Sequence, residues 1–272
     1  MILEDVLAVA MHSDSGMVRP HNEDSVYADP SVGVVILADG MGGYNAGEVA
    51  SGMATALLGN MLEEAFTEQP AYTDVMGRRY AAVALEREIS ITNQSIFNAA
   101  QSQPQYAGMG TTLVAAVFHD NAVTVAHIGD SRMYRLRDGV FSQVTKDHSL
   151  LQEQIDSGMI TPEQARHSQN KNLVTRALGV DATVETEIHE YPVLPDDLFL
   201  LCSDGLNDMV EDDEIGMTLE ALGANLNLCA SQLVQMANDN GGRDNVSVIL
   251  VRIKKKFPAP RGFWQRFMAW FR

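Results

Sequence analysis

Four aspartates lie close to glycine at the boundaries of short apolar runs. They are Asp39 after residues 34–38, Asp130 after 122–128, Asp204 after 198–202, and Asp244 before 246–251. An Asp-Gly pair after a single strand is usually a simple turn. If the last run is a strand antiparallel to the others, however, its start and their ends meet at one edge of the sheet layer. Because glycine also lets backbone segments approach closely, the pattern predicts one cluster of carboxylates at that edge.

The segment RPHNED at 19–24 adds Glu23 and Asp24 to this group, just before another short strand. Six carboxylates cannot stay ionised side by side without cations, because like charges raise one another's pKa. Oxygen ligands favour Mg²⁺ or Mn²⁺, whereas zinc is disfavoured because the chain has no HExxH segment. Two such ions about 3.5–4 Å apart generate hydroxide and hold a phosphoryl group for in-line attack.

Other phosphate chemistries lack the residues that they need. A phosphatase with a cysteine nucleophile requires arginine six residues after the cysteine, but Asp208 and Gln235 stand at that spacing from Cys202 and Cys229. A Walker A loop requires a Gly-Lys pair, and the sequence contains none. The residues therefore favour metal-dependent hydrolysis.

Composition and charge favour a folded globular protein over a disordered, membrane-spanning or secreted one. The 272 residues are 46% apolar and 20% charged, which is typical of a folded globule, and no apolar run approaches the roughly 18 residues of a spanning helix. The acidic N-terminus is unlike a secretion signal, and two cysteines 27 residues apart form no disulfide or zinc pattern. These features predict a cytoplasmic protein.

The acidic charge is concentrated in the main body of the chain. Residues 252–272 contain seven basic side chains and no acidic one, so residues 1–251 carry 12 basic and 36 acidic side chains, a net charge of −24. Affinity for nucleic acid depends largely on Lys and Arg. A body this acidic therefore argues against a nucleic-acid partner, and against a nuclease in particular.

The order of predicted elements is α+β. Apolar runs predict strands at 34–38, 111–118, 122–128, 184–188, 198–202 and 246–251, and a hairpin of 132–136 with 140–144. Helical periodicity predicts helices over 46–68, 78–100 and 225–238. Residues 147–178 are polar and weakly periodic, which predicts an irregular surface insertion. Strands, then paired helices, then further strands are not the alternation of a parallel βαβ fold.

The motifs in this order resemble those of the metal-dependent serine/threonine protein phosphatases of the type 2C family, most closely its compact bacterial members. The matching segments are Arg19-xx-Asn22-Glu23-Asp24, ADGMGG at 38–43, GMGTT at 108–112, GDSR at 129–132, SDG at 203–205 and GGRDN at 241–245. The resemblance implies a four-layer α-β-β-α sandwich of two antiparallel sheets, with metals at one end. It also implies that residues 147–178 are a flap beside the active site.

The resemblance implies two core metal ions, Mn²⁺ or Mg²⁺, and a third, weaker one. Asp39 resembles the carboxylate that bridges the core ions, with the carbonyl of Gly40 as an added ligand. Asp204 and Asp244 resemble ligands of one core ion.

The remaining motif residues have supporting roles in the family. Glu23 and Asp24 resemble the residues that hold the water shell of the other core ion, and Asp130 resembles the ligand of the third. Arg19 resembles the phosphate-binding arginine, a role that suits its bidentate, permanently charged guanidinium.

The implied reaction is hydrolysis of phosphoserine and phosphothreonine in proteins by a hydroxide bridging two metal ions, with no covalent enzyme intermediate. Met41 stands where many eukaryotic members have a histidine, so that histidine cannot be the general acid here. His21 and His148 lie near the matched motifs, but they are equally well explained as loop residues, and a metal-bound water is a third option. The acid stays unassigned.

A different function remains open at this point: a catalytically inactive, phosphatase-like scaffold that binds a phosphoprotein partner. The complete set of expected carboxylates favours the enzyme. The expected partners are phosphoproteins, including a serine/threonine kinase or its substrates, and the enzyme is expected to be a monomer.

The sequence predicts a phosphatase domain at 1–251 and a basic, aromatic tail at 252–272. Residues 263–272 hold five of the 18 aromatic side chains, and Trp264, Phe267, Met268 and Phe271 share one face of a helix. This pattern is typical of a weak anchor on anionic lipid or of a helix in a partner's groove. A tail that folds back onto the acidic body explains it equally well.

Overall fold

The computed structural model describes residues 3–43, 46–161, 164 and 173–260. Its strands are β1 (Leu7–Asp14), β2 (Asp24–Asp29), β3 (Val34–Met41), β4 (Asp74–Val75), β5 (Arg78–Arg79), β6 (Gly110–Thr111), β7 (Leu113–His119), β8 (Ala122–Ile128), β9 (Arg132–Arg137), β10 (Val140–Gln143), β11 (Glu187–Pro192), β12 (Leu198–Cys202) and β13 (Val246–Ile253). Its helices are α1 (Ala46–Glu68), α2 (Tyr80–Ser102), α3 (Leu150–Asp156), α4 (Asp204–Asn207), α5 (Asp212–Leu222) and α6 (Leu226–Asp239). No helix in this part of the chain is both long and apolar enough to cross a membrane.

Two antiparallel sheets form the centre of the molecule. Their strand orders are β1-β13-β12-β9-β10 and β11-β8-β7-β3-β2, with the short β6 paired to the end of β3. In the first sheet, Val246 at the start of β13 lies opposite Asp14, and Cys202 at the end of β12 lies opposite Val248. The last strand is therefore antiparallel to its neighbours, which confirms the premise of the predicted carboxylate cluster.

Three apolar cores bind the layers together. Between the sheets, Leu37 of one sheet and Ile249 of the other share a core in which Phe118 meets Phe199 edge to face, with ring centroids 5.5 Å apart. α1 and α2 cover the outer face of one sheet, and α5 and α6 cover that of the other. The α-β-β-α sandwich is thus confirmed.

Most predicted elements form within a few residues of their expected bounds. α1 spans the predicted 46–68, and its stripe of Ala50, Ala54, Leu58 and Leu62 is fully buried against the sheet. α2 begins two residues late because 78–79 pair with 74–75 in a small hairpin. The strand expected at 184–188 forms at 187–192, where it pairs with β8.

The predicted flap is only partly regular. It begins with α3, whose N-cap Ser149 accepts a hydrogen bond from the backbone of Gln152. One isolated bridge joins Ser149 to Val174, so the two arms of the segment are paired with each other, and another joins Leu178 to Thr111 of the body. Residues 162–163 and 165–172 lie outside the described residues.

The chain stays attached to the body beyond the predicted domain boundary at residue 251. β13 continues to Ile253, and Phe257 is buried with its backbone N–H donating to Oδ1 of Asn121 at 2.7 Å. Ala259 donates to Asp120 at the same distance. Residues 120–121 form the turn between β7 and β8, at the end of the sandwich away from Asp130 and Asp244. The aromatic segment 263–272 lies outside the described residues.

Candidate metal centre

Asp24 and Asp39 face each other across neighbouring strands. The register of β2 and β3 pairs them directly. Like charges at opposed positions destabilise a sheet, so this pair is unfavourable unless something neutralises it. Asp24 Oδ2 accepts from the hydroxyl of Ser203 at 2.8 Å, whereas its Oδ1 is buried and has no hydrogen-bond partner among the residues that the structure describes.

The second sheet brings Asp204 and Asp244 to the same edge. Asp204 begins α4 directly after β12, and Asp244 comes just before β13. The backbone of Gly205 lies so close to this start of β13 that a Cβ at residue 205 would overlap the carbonyl oxygen of Asn245. The SDG and GGRDN segments therefore pack directly against each other, and the hydroxyl of Ser203 links them to the other sheet.

Asp130 approaches the cluster from the loop between β8 and β9, where it is buried. Thr112 connects this loop to β3, because its Oγ1 lies 2.7 Å from the hydroxyl of Ser131 and also accepts from the backbone N–H of Asp39. Gly40, the residue after Asp39, pairs with Thr111 at the end of β3 and donates its N–H to the carbonyl of Glu23.

Arg19 reaches the cluster from the loop between β1 and β2. Its Nη2 donates to Oδ2 of Asp244 at 2.7 Å, and half of the arginine side chain (51%) is exposed. This hydrogen bond raises the pKa of Arg19, and the charges of Glu23 and Asp204 raise it further. All eight residues that the sequence predicted for the site are thus brought to one end of the sandwich.

Burial and mutual repulsion raise the pKa of the clustered carboxyls. Burial raises the pKa of Asp24 and of Asp130 to about 6 in each case. The pKa of Asp39 rises well above its usual value, first through burial and then through the charges of Asp24 and Asp204. The pKa of Asp204 also rises, first through burial and then through the charge of Asp130. Burial also raises the pKa of Glu23.

This donor set fits divalent cations. Its members are oxygen donors on short, well-anchored segments, they carry excess negative charge, and one buried carboxylate oxygen lacks a partner. The edge opens to solvent at Arg19, which supplies a permanent positive charge beside the carboxylates.

A different trio in the described residues, His127, His148 and Glu187, has donor atoms within 4.8 Å of one another. The two imidazole rings are stacked, with planes 14° apart, so their in-plane lone pairs do not converge on one ion. Nε2 of His127 donates to the carbonyl of Lys146 at 2.7 Å. Nδ1 of His148 accepts from the N–H of Gly129, which leaves Nε2 to donate to Glu187. Hydrogen bonds therefore satisfy this trio, and His148, buried with both nitrogens engaged, is poorly placed to act as a general acid.

The structure adds residues that the sequence reading did not select. Asp208 follows α4, and its charge raises the pKa of both Asp204 and Asp130. Asp147 lies close enough to raise the pKa of Asp130, and it forms a bidentate ion pair with Arg132 at 2.7–3.1 Å. The spacing of Asp204 and Asp208, four residues apart at a predicted strand end, was an available signal.

Comparisons with known proteins agree with this arrangement. The family model described as protein phosphatase 2C matches residues 10–243. The serine/threonine phosphatase Stp of Listeria monocytogenes is 39% identical over 242 residues, which cover 88% of this chain and 93% of the relative. PstP of Mycobacterium tuberculosis is 41% identical over 249 residues, which cover 91% of this chain and 45% of that longer protein.

Solved structures show the same similarity. The serine/threonine phosphatase PstP of M. tuberculosis superposes with a TM-score of 0.82 at 38% identity, covering 92% of this chain and 99% of that one. A structure of the PstP catalytic domain in complex with two manganese ions covers the same shares of both chains, with a TM-score of 0.79 at 38% identity.

Proposed function

The chain belongs to the protein phosphatase 2C family and is a metal-dependent protein serine/threonine phosphatase, and we propose that the carboxylate cluster at the sheet edge is its metal-binding active site. The observation that carries this proposal is the convergence of carboxylates from both sheets on Asp39, beside Asp24, whose buried Oδ1 has no hydrogen-bond partner among the described residues. The alternative of a catalytically inactive scaffold has no support, since the relatives are named phosphatases.

In this proposal Asp39, the Gly40 carbonyl, Asp204 and Asp244 hold two Mn²⁺ or Mg²⁺ ions. Glu23 and Asp24 orient the ions' water, and Asp130 contributes to a third, weaker site. The bound ions supply a deprotonated water at neutral pH and neutralise charge on the phosphoryl group.

Arg19 is proposed to bind the phosphate of the substrate. Asp244 fixes one nitrogen of its guanidinium, while the exposed half of the side chain leaves other donors for phosphate oxygens. A donor held in place before the substrate arrives loses little further freedom on binding, so the charge that develops in the transition state meets a preorganised partner.

The test is phosphate release from a phosphothreonine peptide, measured with Mn²⁺, with EDTA and with Asp204→Asn. We expect turnover with Mn²⁺ alone and none in the other two conditions. Asp213→Asn is the matched control, because it makes the same change at an exposed position in α5. Full activity of Asp204→Asn would contradict the site assignment.

The substrates are phosphoproteins, and we propose that they include a serine/threonine kinase or its targets. The net charge of −24 over residues 1–251 argues against nucleic acid as a partner. The domain is proposed to act as a cytoplasmic monomer.

We also propose that the catalytic domain extends to residue 260, because Phe257 and Ala259 are hydrogen-bonded to the turn at 120–121. Residues 263–272 would then make a weak contact with an anionic membrane surface. Sedimentation with phosphatidylserine vesicles, compared with phosphatidylcholine vesicles and with a chain lacking 261–272, tests this contact. Equal recovery of both chains with both vesicles would contradict it.

A further inference from the structure

Asn245 is a buried side chain, 5% exposed, that follows Asp244 directly. Its Nδ2 donates to the carbonyls of Ser15 and His21, at 3.0 and 2.8 Å. Its Oδ1 accepts from the backbone N–H of Glu23 at 2.8 Å. One amide thus makes three hydrogen bonds to a segment more than 220 residues away in the chain. We name that segment, residues 15–23, the Arg19 loop.

The three bonds bracket Arg19. Ser15 precedes it by four residues, and His21 and Glu23 follow it by two and four. Arg19 itself, at the tip of the loop, forms an ion pair with Asp244, the residue before Asn245. The dipeptide Asp244-Asn245 therefore contacts the loop at the backbone and at the guanidinium together.

Further contacts fix the loop in the same place. The N–H of Met17 donates to the carbonyl of Gly242 at 2.8 Å. The backbone of Gly16, with φ +74°, lies so close to Asp244 that a Cβ would overlap the Asp244 carbonyl oxygen. The loop lies between β1 and β2 and contains no helix or strand, so these contacts must replace the hydrogen bonds of regular secondary structure.

We propose that Asn245 is a positioning residue, which holds the Arg19 loop against Asp244 so that the Arg19 guanidinium is preorganised for the substrate phosphate. This inference rests on the proposed phosphate-binding role of Arg19. Asn245 does not touch the reacting atoms; it acts through the loop. An arginine free to leave Asp244 loses part of its affinity for phosphate, because binding must then order the loop as well.

A matched control exists in the same molecule. Asn93 of α2 is 1% exposed, and its Nδ2 donates to the carbonyls of Asp181 and Ala182, at 3.0 and 3.3 Å. Its Oδ1 accepts from the N–H of Gly179 at 2.8 Å. Asn93 thus makes the same three kinds of bond to a different loop, so Asn93→Ala removes equivalent bonds away from Arg19.

The first measurement is hydrogen exchange of the metal-free protein, followed by mass spectrometry. In Asn245→Ala we expect exchange across residues 15–23 to be at least about tenfold faster than in the wild type, because the backbone anchors are lost. In Asn93→Ala we expect exchange there to be unchanged. This readout does not depend on the role of Arg19.

The second measurement is competitive inhibition by inorganic phosphate of the Mn²⁺-loaded enzyme, for the wild type, Arg19→Ala, Asn245→Ala and the double variant. Losing a charge-assisted hydrogen bond weakens binding roughly ten- to a hundredfold, so we expect Arg19→Ala to weaken inhibition by that range and Asn245→Ala by about tenfold. The double variant should match Arg19→Ala within about twofold, because Asn245 acts through Arg19.

The outcomes separate the two claims. Unchanged exchange at 15–23 in Asn245→Ala, or additive effects in the double variant, overturns the positioning role. Unchanged phosphate inhibition in Arg19→Ala overturns the proposed role of Arg19 instead. If Asn245→Ala does not fold, Asn245→Asp decides by the same criteria, since it removes both donors and keeps an oxygen for the N–H of Glu23.

Discussion

Two kinds of aspartate occur in this fold, one buried and one half-buried, and they differ in how their charge is balanced. Asp197, only 1% exposed, accepts two hydrogen bonds of 2.6 Å from Arg137 and a third from the backbone N–H of Leu194. Within the part of the chain that the structure describes, Asp24 and Asp39 face each other without a basic partner, and one oxygen of Asp24 has no hydrogen bond. A carboxylate whose negative charge is paired with an arginine of the same chain stabilises the fold. A carboxylate without such a partner requires a bound cation to neutralise its charge.

The largest expected effect comes from an unbalanced carboxylate. Asp39→Asn should lower turnover of a phosphothreonine peptide roughly a thousandfold or more, since the proposed bridging ligand is lost. Its thermal stability without metal should not fall, because the change removes a repelling charge. Steady-state kinetics and calorimetry of the same preparations measure both properties. Turnover near the wild-type level would contradict the conclusion that Asp39 requires a metal ion to balance its charge.

The same substitution at the balanced site, Asp197, should affect stability instead. Asp197→Asn leaves Arg137 without its partner, and breaking such a buried pair costs about 3 kcal/mol of unfolding free energy. Urea denaturation measures this loss. Turnover per folded molecule should stay within about twofold of the wild type, because Asp197 lies remote from the cluster. A specific loss of turnover without a loss of stability would contradict a purely structural role.

The stability of the metal-free protein should depend on pH through the unpaired charge of Asp24. In the folded protein without metal, burial raises the pKa of Asp24 from an ordinary value of 3.8 to about 6. The folded state therefore binds a proton at Asp24 more tightly than the unfolded chain does. The stability that Asp24 contributes therefore falls as pH rises from about 4 to about 6.

Asp24→Asn tests this dependence, because asparagine carries no such charge. The variant should be more stable than the metal-free wild type by about 1–3 kcal/mol at pH 7.5, and this advantage should shrink towards zero near pH 4. Urea denaturation at both pH values, with EDTA present, supplies the comparison. An advantage of equal size at the two pH values would show that burial of the charge is not its cause.

The smallest effect is expected at the other end of the molecule. Removal of 261–272 should leave peptide turnover and stability unchanged within about twofold. Removal of 254–272 also deletes Phe257, whose burial is worth about 2 kcal/mol, so that chain should be less stable with similar turnover at low temperature. Thermal unfolding of the two truncated chains distinguishes these results, and equal unfolding temperatures would contradict docking of 254–260.

Four aspartates of the site could be predicted because each one ends or begins an apolar run, whereas Arg19 was identified only by resemblance to a family motif. The placement of Asp39, Asp204 and Asp244 at the sheet edge follows from the apolar runs and the neighbouring glycines, both of which are local in the sequence. Asn245 lies within the GGRDN motif, yet its proposed positioning role depends on the carbonyls of residues 15 and 21. Backbone carbonyls are the same in every residue, so no pattern in the sequence indicates which ones a side-chain amide will bind.

Several regular elements also escaped prediction, among them β1 and α5. β1 buries only Leu7 and Ala10 fully, so it lacks the continuous apolar run that marks β12. α5 opens with three acidic residues and buries only Ile215, Gly216 and Leu219. Both elements lie at the surface of the sandwich and are stabilised by neighbours that come from distant parts of the sequence.

The attachment of residues 254–260 to the turn at 120–121 has a consequence for how the enzyme would face its surroundings. β13 separates this attachment from the carboxylate edge by eight residues, a span of about 25 Å at the usual rise per residue. If the chain after residue 260 bound a surface, the end of the sandwich with the turn at 120–121 would face that surface, and the carboxylate edge would face away from it. Such an enzyme would work at a distance from whatever surface it rests on, on phosphorylated segments that project from that surface.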